Sequence, residues 1–199
     1  GSARSWQVLS QAGSVEPLPR IVTGWLTIDP GAQLEMQSGV VVRFRQNTGI
    51  QIEGSFSTLG EQNNPVLLTS WRDPEFSSEG GVQAGDWIGL LIDNPQGDVR
   101  MSATEIRYAG GNRNPAGSLI LTNAAPQFDN LLIRDSASYP VNQDVQSTPR
   151  FSSLMLSNNN PGDVIVVRGS ALDRPGETVW SAVTSSTGQQ IIRLVQEAQ

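Results

Sequence analysis

The segment Leu26-Thr27-Ile28-Asp29 recurs as Ile50-Gln51-Ile52-Glu53, an offset of 24, and this repeat decides the fold class. Two further pieces return with it: Leu34-Glu35-Met36 near Phe56-Ser57-Thr58, an offset of 22, and Val42-Arg43-Phe44 at Val66-Leu67-Leu68, again 24. Each piece alternates or is continuously apolar and is bounded by turn residues, so each predicts a short β-strand. Three consecutive strands that return together after one period indicate the coils of a solenoid.

The rest of the chain continues this pattern, and no window of about ten residues shows a helical apolar period with a cap. The later predicted strands are Ile88 to Ile92, Met101 to Tyr108, Ser118 to Leu121, Phe128 to Ile133, Phe151 to Leu156 and Val164 to Val167. The dipeptides Asn-Gly and Asp-Gly, the strongest hairpin signals, do not occur. The sequence therefore predicts an all-β protein with parallel strands stacked about 4.8 Å apart.

Several motifs resemble one family of proteins. The run from Leu26 to Leu34, with Pro30-Gly31 between two strands, resembles the opening of bacterial secreted and surface proteins that fold as a right-handed parallel β-helix. Gly85-Asp86-Trp87-Ile88-Gly89 and Ile106-Arg107-Tyr108-Ala109-Gly110 are similar to later coils of that family. The resemblance covers about residues 21–135. It implies the pectate-lyase-like superfamily fold, in a non-catalytic branch, with about four coils and end caps.

This resemblance suggests how the chain is organised. We expect residues 1–20 to form an N-terminal cap, residues 21–177 the parallel β-helix, and residues 178–199 a C-terminal hairpin cap. Two polar, glycine- or proline-containing segments, 71–85 and 139–150, predict loops that leave the coils. The leading Gly1-Ser2 resembles a cloning remnant, so we expect the chain to come from a larger parent protein.

Composition excludes many chemistries. The 199 residues include no Cys, no His and no Lys, so all 13 cationic side chains are Arg. Serine–histidine triads, cysteine nucleophiles, Schiff-base lysines and the usual zinc sites are therefore absent. A net charge of −6 argues against a nucleic-acid partner, and no apolar run reaches the roughly 18 residues of a membrane span.

The candidate ligand-binding residues lie near the first loop. Trp71, Trp87, Tyr108 and Tyr139 offer aromatic faces for sugar rings, although Trp87 and Tyr108 also suit a packed core. Arg107, Arg134, Asp86 and Asp135 offer charged hydrogen bonds to hydroxyls or acidic sugars. We expect the loop 71–85 to contact a partner, with Trp71 as its main anchor, unless Trp71 packs beneath the loop.

Three carboxylates form a second candidate site. Asp29 and Glu53 occupy equivalent repeat positions, and Asp93 follows the strand Leu90-Leu91-Ile92. Stacked coils hold such side chains about 5 Å apart, which suits calcium or a retaining glycosidase pair. A solvated corner of like charges is the alternative. No cofactor other than this calcium ion is expected.

The sequence thus favours a non-catalytic, extracellular or cell-surface structural module of the adhesin type, with weak carbohydrate binding. Its expected partners are a glycan or a cell-surface protein. One alternative is a polysaccharide lyase or glycoside hydrolase, or a degenerate relative, that acts on acidic glycans. The adjacent aspartates and the histidine typical of such enzymes on this fold are absent. A module that self-associates through its coil ends is a further alternative.

Overall fold

The computed structural model describes residues 2–10, 17–95, 98–169, 179–184 and 188–196. In these ranges every regular element is a β-strand and none is a helix, so the prediction of an all-β protein is confirmed. The nineteen strands are, in chain order, β1 (Ala3–Trp6), β2 (Leu9–Ser10), β3 (Pro17–Leu18), β4 (Arg20–Val22), β5 (Leu26–Ile28), β6 (Gln33–Gln37), β7 (Val41–Phe44), β8 (Gly49–Ile52), β9 (Ser55–Leu59), β10 (Val66–Ser70), β11 (Gly89–Asp93), β12 (Val99–Arg107), β13 (Leu119–Thr122), β14 (Gln127–Arg134), β15 (Val141–Asp144), β16 (Arg150–Phe151), β17 (Leu154–Ser157), β18 (Ile165–Arg168) and β19 (Arg193–Gln196).

The strands form two large parallel sheets. The seven-stranded sheet has the order β19-β18-β15-β13-β11-β8-β5. The ten-stranded sheet has the order β1-β6-β9-β12-β10-β7-β4, and β14 joins it by pairing with β12, β16 and β17. The short strands β2 and β3 pair with each other in antiparallel fashion. Except for β18 and β19, neighbours in the large sheets are not consecutive in sequence, so the chain leaves each sheet and later returns to it in parallel.

The first two predicted offsets are confirmed by the strand register. Ile28 pairs with Ile52 in β5 and β8, and Leu34 pairs with Phe56 in β6 and β9. All four side chains are buried. Ile28 and Ile52 therefore stack as neighbours in the core, where side chains of parallel strands point to the same side at matched positions.

The predicted pairing of Val42 with Val66 is wrong, because Val42 pairs with Leu68 instead. The turn after β9, residues 60–65, is longer than residues 38–40 after β6, and Glu61 and Asn64 form an antiparallel bridge across it. The register thus differs from the prediction by two positions. Inward and outward faces stay unchanged, because the strand period is also two.

The distance along the chain between paired strands varies widely. Leu119 in β13 pairs with Val141 in β15, whereas Phe56 in β9 pairs with the much more distant Val99 in β12. One long connection, residues 71–88, links β10 to β11. A second, residues 108–118, links β12 to β13. Parallel pairing within the sheets is therefore kept across connections of different length.

Inward side chains of both sheets form one apolar core. It contains Phe44 and Trp87, whose rings stack with centroids 4.1 Å apart and planes within 6° of parallel. A second, separate apolar cluster, made of Ile88, Leu91 and Ile120, lies outside this core. Leu91 and Ile120 pair in register between inward-facing residues, so they lie on the outer face of the seven-stranded sheet.

The long strands β12 and β14 turn a corner. The first half of β12 pairs with β9 and the second half with β10. At the change, Ala103 has a φ of 37°, and its counterpart Asn130 in β14 has a φ of 53°. A left-handed residue at each of these positions redirects the strand, and asparagine tolerates this conformation better than most residues.

The second predicted loop, 139–150, is only partly a loop, because it contains β15. This strand pairs with β13 and β18. Its buried polar residues Asn142 and Gln143 hid it from the apolar pattern. Asn142 Nδ2 donates to the Ala116 carbonyl at 2.7 Å, and Gln143 Nε2 donates to the Ser147 carbonyl at 3.1 Å. These bonds offset part of the cost of burying the two side-chain amides, while Gln143 Oε1 is buried without a hydrogen-bond partner.

The described parts of both terminal segments pair with the central sheets. β1 pairs with β6, and β19 pairs with β18, each in parallel. Near the C-terminus, Thr184 and Gln190 form an antiparallel bridge within the segment predicted as a hairpin cap. Residues 170–178, 185–187 and 197–199 of that region lie outside the described residues. The division into caps and a central β-helix stays a prediction.

Candidate functional site

The segment 71–86, here called the 71–86 loop, leaves the sheet after β10 and is held at its base. Asp86 is buried, and its carboxylate accepts a hydrogen bond from Ser70 Oγ at 2.7 Å. It also accepts one from the Gln83 amide at 3.3 Å and lies 3.7 Å from Arg72 Nη1. Asp86 therefore ties the end of the loop to its beginning. This is a structural use of a residue that the sequence suggested for ligand binding.

The loop packs on the outer face of the ten-stranded sheet through an ionic cluster. We call the cluster of Asp73, Glu75, Glu105, Arg107, Arg134 and Asp135 the arginine–acid network. Arg107 donates from Nε and Nη2 to the two carboxylate oxygens of Glu105, at 2.6 and 3.0 Å. Its Nη1 reaches the loop, at 3.3 Å from Asp73 and in contact with Glu75.

Arg134 extends the network by one strand. Arg107 and Arg134 are paired in register on β12 and β14. Arg134 Nε donates to Glu105 at 2.6 Å, and its Nη1 donates to Asp135 at 2.5 Å. Both guanidinium groups thus donate hydrogen bonds to carboxylates, and these bonds join the 71–86 loop to the ten-stranded sheet.

The pKa values in the network reflect this pairing. Burial alone would raise the pKa of Glu105, but hydrogen bonds from Arg107 and Arg134 outweigh it and lower the pKa below its usual range. For Arg107, the bonds to Glu105 and Glu75 likewise outweigh burial and raise the guanidinium pKa. A carboxyl whose pKa is lowered stays ionised and is a poor general acid.

Tyr108 and the network residue Asp135 come directly after the ends of β12 and β14. Together with Asn158 they occupy matching positions and share a left-handed backbone, with φ of 59°, 58° and 57°. Asn158 Nδ2 donates to Asp135 at 2.6 Å. Burial, followed by the charges of Asp73 and Asp135, raises the pKa of Tyr108. Tyr108 is half-buried, so its ring is only partly open to a ligand.

The remaining aromatic candidates differ from one another in exposure. Trp87 is fully buried, and its Nε1 donates to the Arg107 carbonyl at 2.7 Å, so it belongs to the core beneath the network. Tyr139 is half-buried, and its carbonyl accepts a hydrogen bond from the Ser118 amide at 3.0 Å. Trp71 is half-buried at the start of the loop, with the Arg45 guanidinium 4.1 Å from its ring centre.

The three candidate metal ligands follow stacked positions of the seven-stranded sheet. Asp29, Glu53 and Asp93 come directly after the register-paired Ile28, Ile52 and Ile92. Glu53 and Asp93 line a groove of about 510 Å³, together with Gly54 and Asn94. Burial, then the charge of Glu53, raises the pKa of Asp93. Within the described ranges, no group of three acidic side chains is placed to hold a metal ion.

Sequence reasoning missed the residues that pair with Arg107 and Arg134: Asp73 and Glu75 in the loop, and Glu105 on the strand. It also missed Arg45 and Arg72 beside Trp71. Glu105 and Arg107 are two residues apart on one strand, which places them on one face, and this spacing could have indicated their pairing. Nothing in the sequence indicates where a loop folds back.

No family model, no curated protein and no solved structure matches this chain. Across the described residues, no helix has the length and apolar character needed to cross a membrane.

Proposed function

We propose that the chain is a right-handed parallel β-helix module of the pectate-lyase-like type. The support is the parallel pairing of strands that are far apart in sequence, with matched side chains stacked in one core. Such stacking is the way in which coiled repeats bury an apolar face. In this proposal the stacked strands make a rigid body, and the connections between them are free to vary.

The module's role, in this proposal, is non-catalytic display at an extracellular or cell-surface site, as in an adhesin. One observation supports this role: the base of the 71–86 loop is held by ion pairs and hydrogen bonds between side chains, and its tip is exposed. Asp73 and Asp86 are buried at the base, whereas residues 78–81 at the tip are exposed. A segment that is fixed at its base and open at its tip suits recognition of a glycan or a cell-surface protein.

The test separates the tip from the base. Because Asp73 and Glu75 pair with Arg107, the change is limited to residues 77–82, which are replaced by a short Gly-Ser link. Adhesion to bacterial and host cell surfaces and binding on a glycan array are measured beside urea unfolding. We expect adhesion to fall with an unchanged free energy of unfolding.

A matched control keeps the loop length and replaces the same residues by Gly and Ser alone. If this control also loses adhesion, the side chains of the tip carry the binding rather than the length of the loop. Unchanged adhesion in both variants would contradict display by this loop, and a loss of stability would assign the tip a packing role.

A second candidate function is cleavage of acidic glycans at the groove of Glu53 and Asp93. It is favoured by two neighbouring carboxylates in one groove, with the pKa of Asp93 raised as an acid catalyst requires. We expect no cleavage of pectin or alginate in reducing-sugar and lyase assays. Turnover that disappears in Glu53→Gln, Asp93→Asn or Asp29→Asn would establish the enzyme instead.

A further inference from the structure

Three guanidinium groups converge on one tryptophan at the base of the 71–86 loop. The Arg45 and Arg72 guanidiniums lie 4.1 and 5.2 Å from the ring centre of Trp71. Arg43, on β7, donates from Nη2 to the Trp71 carbonyl. This concentration of positive charge occurs in a protein whose net charge is −6. We call these four residues the Trp71 cluster.

The Trp71 cluster is short of negative partners. Arg72 lies 3.7 Å from Asp86, but neither Arg43 nor Arg45 forms an ion pair with any of the described residues. Arg107, by contrast, meets three carboxylates in the neighbouring network. Arg107 and Arg134 therefore already donate to carboxylates of this chain, whereas Arg43 and Arg45 have no such ionic partner among the described residues.

Arg43 is the buried member of the cluster. The residue is 8% exposed, and its Nε is buried without a hydrogen-bond partner. Burial lowers the pKa of this guanidinium, while Asp73 and Glu79 oppose the shift and Arg45 adds to it. An unsatisfied buried donor is unfavourable, and a negative ligand nearby would offset the unfavourable charge.

The cluster is open to solvent on its other side. Arg45 is exposed, Trp71 is half-buried, and the Arg72 side chain is 33% exposed. A ligand can thus reach the guanidiniums of Arg45 and Arg72 and the exposed part of Trp71 without displacing the core. Planar guanidinium groups bind oxyanions through paired hydrogen bonds, and an indole beside them contacts the apolar part of a ligand.

We propose that the Trp71 cluster binds the anionic group of an acidic glycan, either a sulfate ester or a uronate carboxylate. The proposal rests on the display function above and narrows its ligand from glycans in general to anionic ones. It also moves the binding arginines from Arg107 and Arg134, which the sequence suggested, to Arg45 and Arg72, with the buried Arg43 adding positive charge beside them.

The test is a calorimetric titration of the whole chain with three probes: a sulfated disaccharide, the same disaccharide without sulfate, and a digalacturonate. We expect at least one anionic probe to bind about tenfold more tightly than the neutral one, and the sulfated and uronate probes distinguish the two sources of charge. Arg45→Gln should weaken that binding about tenfold, and it should fold normally because Arg45 is exposed.

The matched control is Arg100→Gln, which removes an exposed arginine whose one ion-pair partner among the described residues is Asp98. Equal binding of the neutral probe, no effect of Arg45→Gln, or an equal loss in Arg100→Gln would each overturn the anion site. These results are distinct from failure of display. If the exchange of loop tip residues abolishes adhesion while Arg45→Gln leaves glycan binding intact, display stands and the Trp71 cluster is not its binding site.

Discussion

Two connections of unequal chemistry cover the outside of two different sheets. The 71–86 loop packs on the ten-stranded sheet through the arginine–acid network. The connection 108–118 covers the seven-stranded sheet, where Arg113 and Pro115 line a small cavity together with Leu91 and Ile120. The first cover is held by charged contacts, whereas the second lies beside an apolar cluster and is joined to its surroundings by hydrogen bonds, such as those from the Gly110 and Gly111 amides to the Ile88 and Trp87 carbonyls.

This difference decides what each cover can do. Among the described residues no ion pair joins the 108–118 connection to its sheet, so its contacts depend little on salt or pH. The charged contacts of the 71–86 loop place ionisable groups near the surface, where their charges depend on pH and are screened by salt. Beside them, the cation Arg45 is exposed. We therefore place the candidate binding surface on the charged cover.

The largest expected effect comes from placing a charge in the apolar cluster beside the second cover. Ile120→Asp puts a carboxylate into the cluster of Ile88 and Leu91 and should cost about 3–4 kcal/mol in urea unfolding, because burial disfavours the charge. The matched change Leu132→Asp, at a half-buried outward position of the other sheet, should cost about 1 kcal/mol. Equal losses of unfolding free energy in Ile120→Asp and Leu132→Asp would contradict the difference between the two sheet faces.

The next effect comes from removing the central cation of the charged cover. Arg107→Met leaves Asp73 and Glu105 without their shared guanidinium and should cost about 3 kcal/mol in urea unfolding. Arg100→Met removes an exposed pair and should change stability by about 0.5 kcal/mol or less. A small effect of Arg107→Met would mean that the network contributes little beyond packing.

A smaller effect should appear as pH dependence. The pKa of Glu105 is lower in the folded chain than its ordinary value of 4.5. The stabilisation that ionised Glu105 gives to the folded chain is therefore complete above its pKa in the unfolded chain. It is lost as the pH falls through the lower pKa of Glu105 in the folded chain. Urea unfolding between pH 7 and pH 3 should show this loss in the parent and a flatter profile in Glu105→Gln. Parallel profiles would contradict it.

The smallest effect has the opposite sign. The pKa of Asp93 is raised by burial and by Glu53 and Asp144, so its charged form is disfavoured in the folded state. Asp93→Asn should stabilise the chain at pH 7 by about a few tenths of a kcal/mol, since the side chain is exposed and screened. The gain should disappear in urea unfolding near pH 3. Destabilisation at pH 7 would indicate a structural bond that the carboxylate makes.

The sequence predicted those parts of the fold that depend on local periodicity. The stacking of Ile28 on Ile52 followed from alternation and a constant return. The partner of Val42 did not, because it depends on extra residues in the turn 60–65, and turns carry no period. Strand β15 was hidden because its buried residues Asn142 and Gln143 are polar, and their side-chain NH2 groups donate to a distant carbonyl and to the following turn.

The same limit applies to the candidate site. Arg107 and Arg134 were both named as candidate site residues from the sequence, and the strand register pairs them on β12 and β14. Asp73 and Glu75 were missed because their contact with Arg107 depends on how an irregular loop folds back. Burial of Trp87 was open from the sequence, since an aromatic residue beside a predicted strand suits a surface as well as a core; the structure buries it.

The variable return distance has a consequence for engineering. The return from Phe56 to Val99 is nearly twice as long as the return from Leu119 to Val141, and both keep the parallel register. Because loop-closure entropy grows only with the logarithm of length, doubling a connection costs about 0.6 kcal/mol. The exposed tip at residues 78–81 is thus a position where a foreign peptide can be grafted. In the proposed β-helix module, such a graft would present an inserted epitope at a defined point on the side of the stacked strands.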